Sequence, residues 1–185
     1  MSSRLIYVVG PSGAGKDSLL AWLQARQPPL AGVHWARRTI VRPTQPGGEA
    51  HESVTAAQFE QLLADGAFAM AWRANGTGYG IRKTELAPLA HGAWGLVNGS
   101  RAHLPVAQAL YPGLHVLHIT ASADTLRRRI AARGRENAAQ TEQRLARASA
   151  FSRPVNSVEV HNDGTLEDAG QQLLTRLRSL PGWPG

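Results

Sequence analysis

The segment Leu5-Ile6-Tyr7-Val8-Val9-Gly10-Pro11-Ser12-Gly13-Ala14-Gly15-Lys16-Asp17-Ser18-Leu19-Leu20 restricts the possible folds more than any other part of the chain. Its apolar opening, Leu5 to Val9, predicts a buried strand; Gly10, Gly13 and Gly15 predict a tight turn; Lys16 reads as the start of a helix. The spacing of Gly10, four residues, then Gly15 and Lys16 suits a loop whose successive N–H groups converge on phosphate. The helix dipole adds positive potential there, and a lysine at this place reaches the β and γ phosphates. We therefore expect Gly10, Pro11, Ser12, Gly13, Ala14, Gly15, Lys16, Asp17 and Ser18 to bind ATP, with Lys16 also acting in catalysis.

One position departs from the phosphate-loop pattern. The residue after the lysine should be Ser or Thr to ligate magnesium, and it is Asp17, with Ser18 one place later. Asp17 either complements the helix dipole or supplies a carboxylate to Mg2+, directly or through a water. The second reading gains from an absence, because neither interior strand candidate, Gly95 to Asn98 or His115 to Thr120, ends in an acidic residue. Asp17 and Ser18 are the candidate metal ligands.

Around this segment, short apolar runs alternate with helix-like stretches, the pattern of an α/β domain with a mostly parallel sheet. Strands are expected at Leu5 to Val9, Trp35 to Val41, Gly95 to Asn98, His115 to Thr120 and Ser157 to Val160. Helices are expected to begin near Lys16, Thr55, Leu104, Ala123, Ala138 and Leu166. Thr55 with Gln58 reads as a capping box, and Thr165 with Asp168 repeats the logic. A length of 185 residues at 43% hydrophobic content suits one domain over 1–185.

The chain has no cysteine, which excludes disulfides, zinc-thiolate sites and cysteine nucleophiles. No leader pattern and no apolar window of about 20 residues is present, so a soluble cytoplasmic protein without a membrane partner is expected. The net charge of +7 rests on arginine, since Lys16 and Lys83 are the only lysines among 20 basic residues. Arginine's planar fork suits bidentate phosphate contacts. The arginines are dispersed into short groups and not interleaved with aromatics, so no nucleic-acid partner is expected. Oligomeric state is not legible.

Two arginine groups stand out. Arg37, Arg38 and Arg42 precede a Pro- and Gly-rich loop over Arg42 to Glu52 and are placed to grip an acceptor's phosphate. Arg127, Arg128, Arg129, Arg133 and Arg135, with Arg144 and Arg147 beyond, surround Gly134. Arginines beside a glycine between two helices suit a closing lid, and Arg133, Arg135 and Arg144 are the preferred catalytic candidates. His51, His103, His115, His118 and His161 lack metal-ligand spacing and receive no role. Trp35, Trp72 and Trp94 are expected in the core, with Trp72 at the border of an acceptor pocket.

The phosphate loop, the Arg-Pro loop, Tyr79-Gly80, Arg133-Gly134-Arg135-Glu136 and Asn162-Asp163-Gly164 together resemble the guanylate kinase branch of the nucleoside monophosphate kinases over nearly the whole chain. Within it, Gly15-Lys16-Asp17-Ser18, His51-Glu52-Ser53, Val97-Asn98-Gly99-Ser100-Arg101 and Arg133 to Asn137 look like the ribose 1,5-bisphosphate phosphokinases of phosphonate degradation. The resemblance implies a three-layer α/β/α P-loop NTPase fold with a five-stranded sheet, a substrate-binding lobe near 34–92 and a lid near 133–147. It also implies ATP-dependent conversion of ribose 1,5-bisphosphate to 5-phosphoribosyl 1-diphosphate, with Arg37, Arg42, Tyr79, Asn98, Ser100 and Arg101 holding the sugar phosphate. Guanylate kinases typically read guanine with two carboxylates, and Met70 and Asn98 align with those places. A nucleoside monophosphate kinase and, in another class, a P-loop nucleotide switch or RNA-binding module are the alternatives.

Overall fold

The computed structural model describes residues 4–26, 32–43, 50–74, 76–132, 142, 145–146, 151, 154 and 157–184. It opens with β1 (Leu5–Val9) and α1 (Lys16–Arg26), followed by β2 (Val33–Ala36), β3 (Arg38–Ile40) and β4 (Glu52–Ser53). Next come α2 (Ala56–Ala64), β5 (Phe68–Ala74), β6 (Thr77–Arg82), α3 (Lys83–Leu86) and a 3-10 turn over Ala87–His91. The remainder is β7 (Trp94–Asn98), α4 (Leu104–Leu110), β8 (His115–Thr120), α5 (Ala123–Ala132), β9 (Val158–His161) and α6 (Leu166–Arg178). The helix expected near Ala138 lies outside the described residues.

A mostly parallel five-stranded sheet runs in the order β2-β7-β1-β8-β9, and a four-stranded sheet in the order β4-β3-β6-β5. β1 and β7 are buried along their whole length, which is why they read as unbroken apolar runs and not as alternating ones. The chain divides into two compact units: Met1–Tyr7 with Leu30–Leu114, and Val8–Pro29 with His115–Gly185.

In the first unit β2 and β7 are parallel, with Ala36 opposite Val97. The strand expected over Trp35 to Val41 is two strands. It breaks at Arg37, whose backbone N–H donates to the Glu85 carboxylate (2.9 Å) in place of a strand partner. Beyond the break, β3 joins the smaller sheet, antiparallel to β6. Glu52 ties that sheet together: its carboxylate accepts from Thr39 Oγ1 (2.7 Å), Arg82 Nε (2.7 Å) and Arg82 Nη2 (2.6 Å). The Arg82 hydrogen bond, first, holds the Glu52 carboxyl below its ordinary value. Helix α2 forms where expected, with Thr55 and Gln58 exchanging both bonds of a capping box.

In the second unit β8 and β9 are parallel, Thr120 lying opposite His161. Helices α1 and α6 pack through Trp22, whose indole N–H donates to Glu167 Oε2 (2.9 Å). A Cβ on Gly170 would fall 2.5 Å from that ring, so a helical glycine is what lets the two helices close. Leu19, Leu23, Leu173 and Leu177 are nearly or fully buried, each stabilising the fold by about 1.5–3 kcal/mol.

Candidate functional site

The second unit builds a cradle at the carboxyl ends of its strands, where open α/β sheets hold their ligands. Val9 ends β1, and the chain turns at once. A Cβ on Gly10 would meet the Ile119 carbonyl oxygen at 2.0 Å, so the loop lies flush against β8. Gly13 (φ 90°) and Gly15 (φ 83°) take the left-handed conformation that other residues resist. Ile130 and Leu126 of α5 pack under Gly13, and the Ala14 N–H donates to Pro11 O (3.2 Å). The Lys16 ammonium folds back over the loop, donating to Gly10 O at 3.0 Å, which holds a charge at the mouth of the turn. Asp17 and Ser18 are exposed on the first turn of α1.

Two further side chains complete the cradle. Asn162 follows β9 directly, is 3% exposed, and donates from Nδ2 to Ala14 O (2.8 Å). A Cβ on Gly15 would sit 2.3 Å from the same Nδ2, so this amide presses on the loop. Arg129 of α5 places Nη1 3.8 Å from where that Cβ would be. Its Nη1 is buried and has no hydrogen-bond partner among the described residues. A desolvated guanidinium nitrogen beside a ring of amide donors is a strong reason for an anion to bind there. Its neighbours are occupied elsewhere: Arg127 pairs with Asp124 and Glu142, and Arg128 donates to Thr125 Oγ1 (3.2 Å). The entrance to α5 is fixed by Asp163, whose carboxylate accepts from the Ser122 N–H (2.8 Å). Hydrogen bonding from Ser122 holds the Asp163 carboxyl low.

Arg129 was not preferred on sequence grounds, although its spacing from Leu126 and Ile130 puts all three on one helix face. Arg133, Arg135 and Arg144, which were preferred, lie outside the described residues.

The first unit gathers the acceptor candidates. Arg37 leaves the end of β2 and Asn98 to Arg101 leave the end of β7, so the parallel register brings both to the same edge of the sheet. Glu85 accepts from His34 Nε2 (3.0 Å) and from the Arg37 backbone, with Arg37 Nε 3.8 Å away. Arg42 is exposed; its carbonyl accepts from Ser53 Oγ (2.7 Å) and His51 Nε2 (3.3 Å), which pins the turn that carries it. Asn98 is 5% exposed, whereas Ser100 and Arg101 are half-buried.

Tyr79 of β6 stands in an aromatic series absent from the sequence reading. Its ring stacks on Trp72 (5.7 Å between centroids, 7° between planes), and the Arg38 guanidinium lies 5.3 Å from the Tyr79 ring centroid. Trp72 stacks in turn on His103 (5.1 Å, 26°). His103 Nδ1 lies 3.1 Å from the Tyr7 hydroxyl, which also accepts from the Ser100 N–H (3.1 Å). Burial pushes Tyr7 up to about 12 and His103 down, so the phenol keeps its proton and the imidazole is neutral at pH 7. A Cβ on Gly99 would strike the Tyr7 ring at 2.2 Å, which explains glycine in Asn98-Gly99-Ser100.

The cradle suits a nucleotide: amide donors, an ammonium and a buried guanidinium face one place. Among the described residues no cluster of three or more His, Cys, Asp or Glu could hold a metal ion. Asp17 and Ser18 are two exposed oxygen-bearing side chains, and magnesium accepts so few protein ligands when phosphate and water complete its shell. Among the described residues no helix is long and apolar enough to cross a membrane.

No family model matches the chain. It is 46% identical over 175 residues to a curated relative, "Ribose 1,5-bisphosphate phosphokinase PhnN" of Chromobacterium violaceum, covering 94% of this chain and 93% of that protein. A relative of the same name in Pseudomonas fluorescens is 49% identical over 184 residues, covering 97% and 94%. Two longer relatives of that name, from Laribacter hongkongensis and Janthinobacterium, are spanned over 43% and 39% of their length. In fold, the chain is similar to the crystal structure of guanylate kinase from Anaplasma phagocytophilum (TM-score 0.66, 15% identity, 95% of this chain and 84% of that one).

Proposed function

The chain belongs to the ribose 1,5-bisphosphate phosphokinase family, and we propose that it transfers the γ-phosphoryl group of ATP to ribose 1,5-bisphosphate, giving 5-phosphoribosyl 1-diphosphate and ADP. One observation in the site carries this reading. The edge where β2 and β7 end presents Arg37, Asn98, Ser100 and Arg101, cations and neutral hydrogen-bonding groups, while the nearby carboxylate Glu85 is engaged by His34 and Arg37. Such an edge suits a sugar bisphosphate. Met70, 2% exposed, offers no acceptor to a guanine edge, and an unpaired buried polar group costs about 1–3 kcal/mol.

When bound, ATP supplies the transferred phosphoryl group and Mg2+ neutralises part of its charge. Lys16, the loop amides from Gly10 to Lys16 and Arg129 hold and polarise the phosphates; Asp17 and Ser18 orient the metal. Arg37, Arg42 and Arg101 hold the acceptor's two phosphates, and Tyr79, Asn98 and Ser100 its ring and hydroxyls. An oxygen of the 1-phosphate attacks the γ-phosphorus as the bond to the β-phosphate oxygen breaks. That oxygen is already anionic at neutral pH, so alignment and charge neutralisation are the protein's task and no general base is required. Arg133, Arg135 and Arg144 are the proposed lid cations, closing over the transferring group. Localisation in the cytoplasm and a single kinase domain over 1–185 belong to the same proposal.

The test is an ADP-release assay coupled to acceptors in parallel. Ribose 1,5-bisphosphate should exceed GMP and AMP in kcat/KM by about 10⁴, as for sites that reject analogues leaving polar partners empty. Arg101→Met should damage turnover of the bisphosphate while sparing ATP binding. Comparable efficiency with GMP would overturn the assignment of the acceptor and leave the kinase reading standing.

A further inference from the structure

Trp72 occupies an unusual place for a core tryptophan. It sits on β5 directly across from Tyr79 on β6, and its ring stacks on both Tyr79 and His103, yet only 9% of it is exposed. Tyr79 also faces the Arg38 guanidinium, and His103 leads through the Tyr7 hydroxyl to the Ser100 N–H. An indole therefore fills the space between an acceptor-side tyrosine and the segment that carries Ser100 and Arg101. Aromatic rings with centroids about 4.5–7 Å apart attract one another in offset stacks, as a planar heteroaromatic group would be attracted to either of these rings. Here the plane is supplied by the chain itself.

We infer that Trp72 is the specificity-determining residue of the acceptor half, an internal ring that closes the site to purine and pyrimidine acceptors and leaves room for a phosphorylated furanose without a base. The inference rests on the proposed function and deepens it. Three properties of the series fit. Tyr79 and Trp72 lie almost parallel, 7° apart, so the two rings stack face to face and not edge on. His103 is neutral and buried, so it offers Trp72 a flat uncharged face. Tyr7 and Gly99 lock the far end, because the ring lies where any larger residue at 99 would have to go. Removing the indole then opens a ring-shaped gap bounded by Tyr79 and His103 instead of letting the site collapse.

The experiment compares wild type with Trp72→Ala, Trp72→Leu and Trp72→Phe, using the full chain and ribose 1,5-bisphosphate, GMP and added indole as probes. In wild type GMP should compete poorly with the bisphosphate. In Trp72→Ala the KM for the bisphosphate should rise at least tenfold, GMP should compete at least tenfold more strongly, and millimolar indole should reverse both changes. ATP affinity, which depends on the other unit, should stay within twofold, and a cooperative urea-unfolding transition like that of wild type certifies the fold. Trp72→Leu keeps bulk without a plane; if Trp72→Ala does not fold, it decides the matter, and it should behave as the alanine variant does. Trp72→Phe keeps a ring and should lose less, remaining closed to GMP. Alanine or leucine variants that bind ATP normally but neither admit GMP nor respond to indole would overturn the inference. A wild-type enzyme that prefers GMP would instead overturn the acceptor assignment, a separate outcome read from the unmutated protein.

Discussion

Gly15→Ala tests the cradle most directly. Gly15 has φ 83°, and its missing Cβ would lie 2.3 Å from Asn162 Nδ2, the group that donates to Ala14 O. The left-handed conformation costs an alanine about 1–2 kcal/mol whatever surrounds it. Displacing Asn162 leaves the carbonyl of fully buried Ala14 without its donor, a further loss of about 1–3 kcal/mol. Gly15→Ala should therefore destabilise by about 2–5 kcal/mol, which at about 2–4 °C per kcal/mol lowers Tm by roughly 4–20 °C. In an Asn162→Ala background the clash and the hydrogen bond are both gone, and the same substitution should cost only the conformational part, about 1–2 kcal/mol. Urea unfolding of the four proteins closes the cycle, with an expected coupling of about 1–3 kcal/mol. Additive costs would refute the contact between Asn162 and the loop.

Three other outcomes are expected. Asp17→Asn should shift the magnesium titration of activity upward while leaving metal-free ATP binding unchanged; an unaltered titration would assign Asp17 to the helix dipole. Arg129→Met should raise the Kd for ATP about 10- to 100-fold, the worth of one charged hydrogen bond, without moving the KM for the acceptor, as measured by calorimetry and steady-state kinetics. Glu52→Gln should flatten the acid limb of stability. The folded-state carboxyl lies below the ordinary 4.5, so its contribution is full above that value and is lost as pH falls through the lower folded one. Melting curves taken from about pH 5 to about pH 3 should show a shallower slope in the variant.

The strands that run through the interior were legible because burial writes them as short runs rich in apolar and β-branched residues: Leu5 to Val9 and His115 to Thr120 match to the residue. The phosphate loop was legible because its chemistry is local, with glycines, lysine and helix start adjacent in sequence. The smaller sheet was not. β5 and β6 mix Phe68, Met70, Trp72 and Tyr79 with arginines and glycines, and glycines such as Gly80 exist because Phe68 packs on them, a fact no local pattern records. Asn75-Gly76 between the two runs was the available hairpin signal. The break at Arg37 depends on Glu85, and the Ser100 segment depends on Tyr7; both partners are remote in sequence. Among the arginines, local spacing could not tell which had charged partners, and it took the ion pairs of Arg127 to leave Arg129 as the one beside the loop.

The division of the chain has a consequence for inheritance. The proposed acceptor residues Arg37, Arg42, Tyr79, Asn98, Ser100 and Arg101 all fall within one uninterrupted stretch, Leu30–Leu114, while the proposed nucleotide cradle draws on the segments before and after it. A single recombination replacing that stretch would exchange one acceptor specificity for another and leave the ATP machinery as it was. Tyr7 would have to travel with it, because it buttresses Ser100 from outside the cassette. Among natural or shuffled chimaeras of this family, those that transplant the cassette without a tyrosine at position 7 are the ones that should inherit the new acceptor's contacts but hold them loosely.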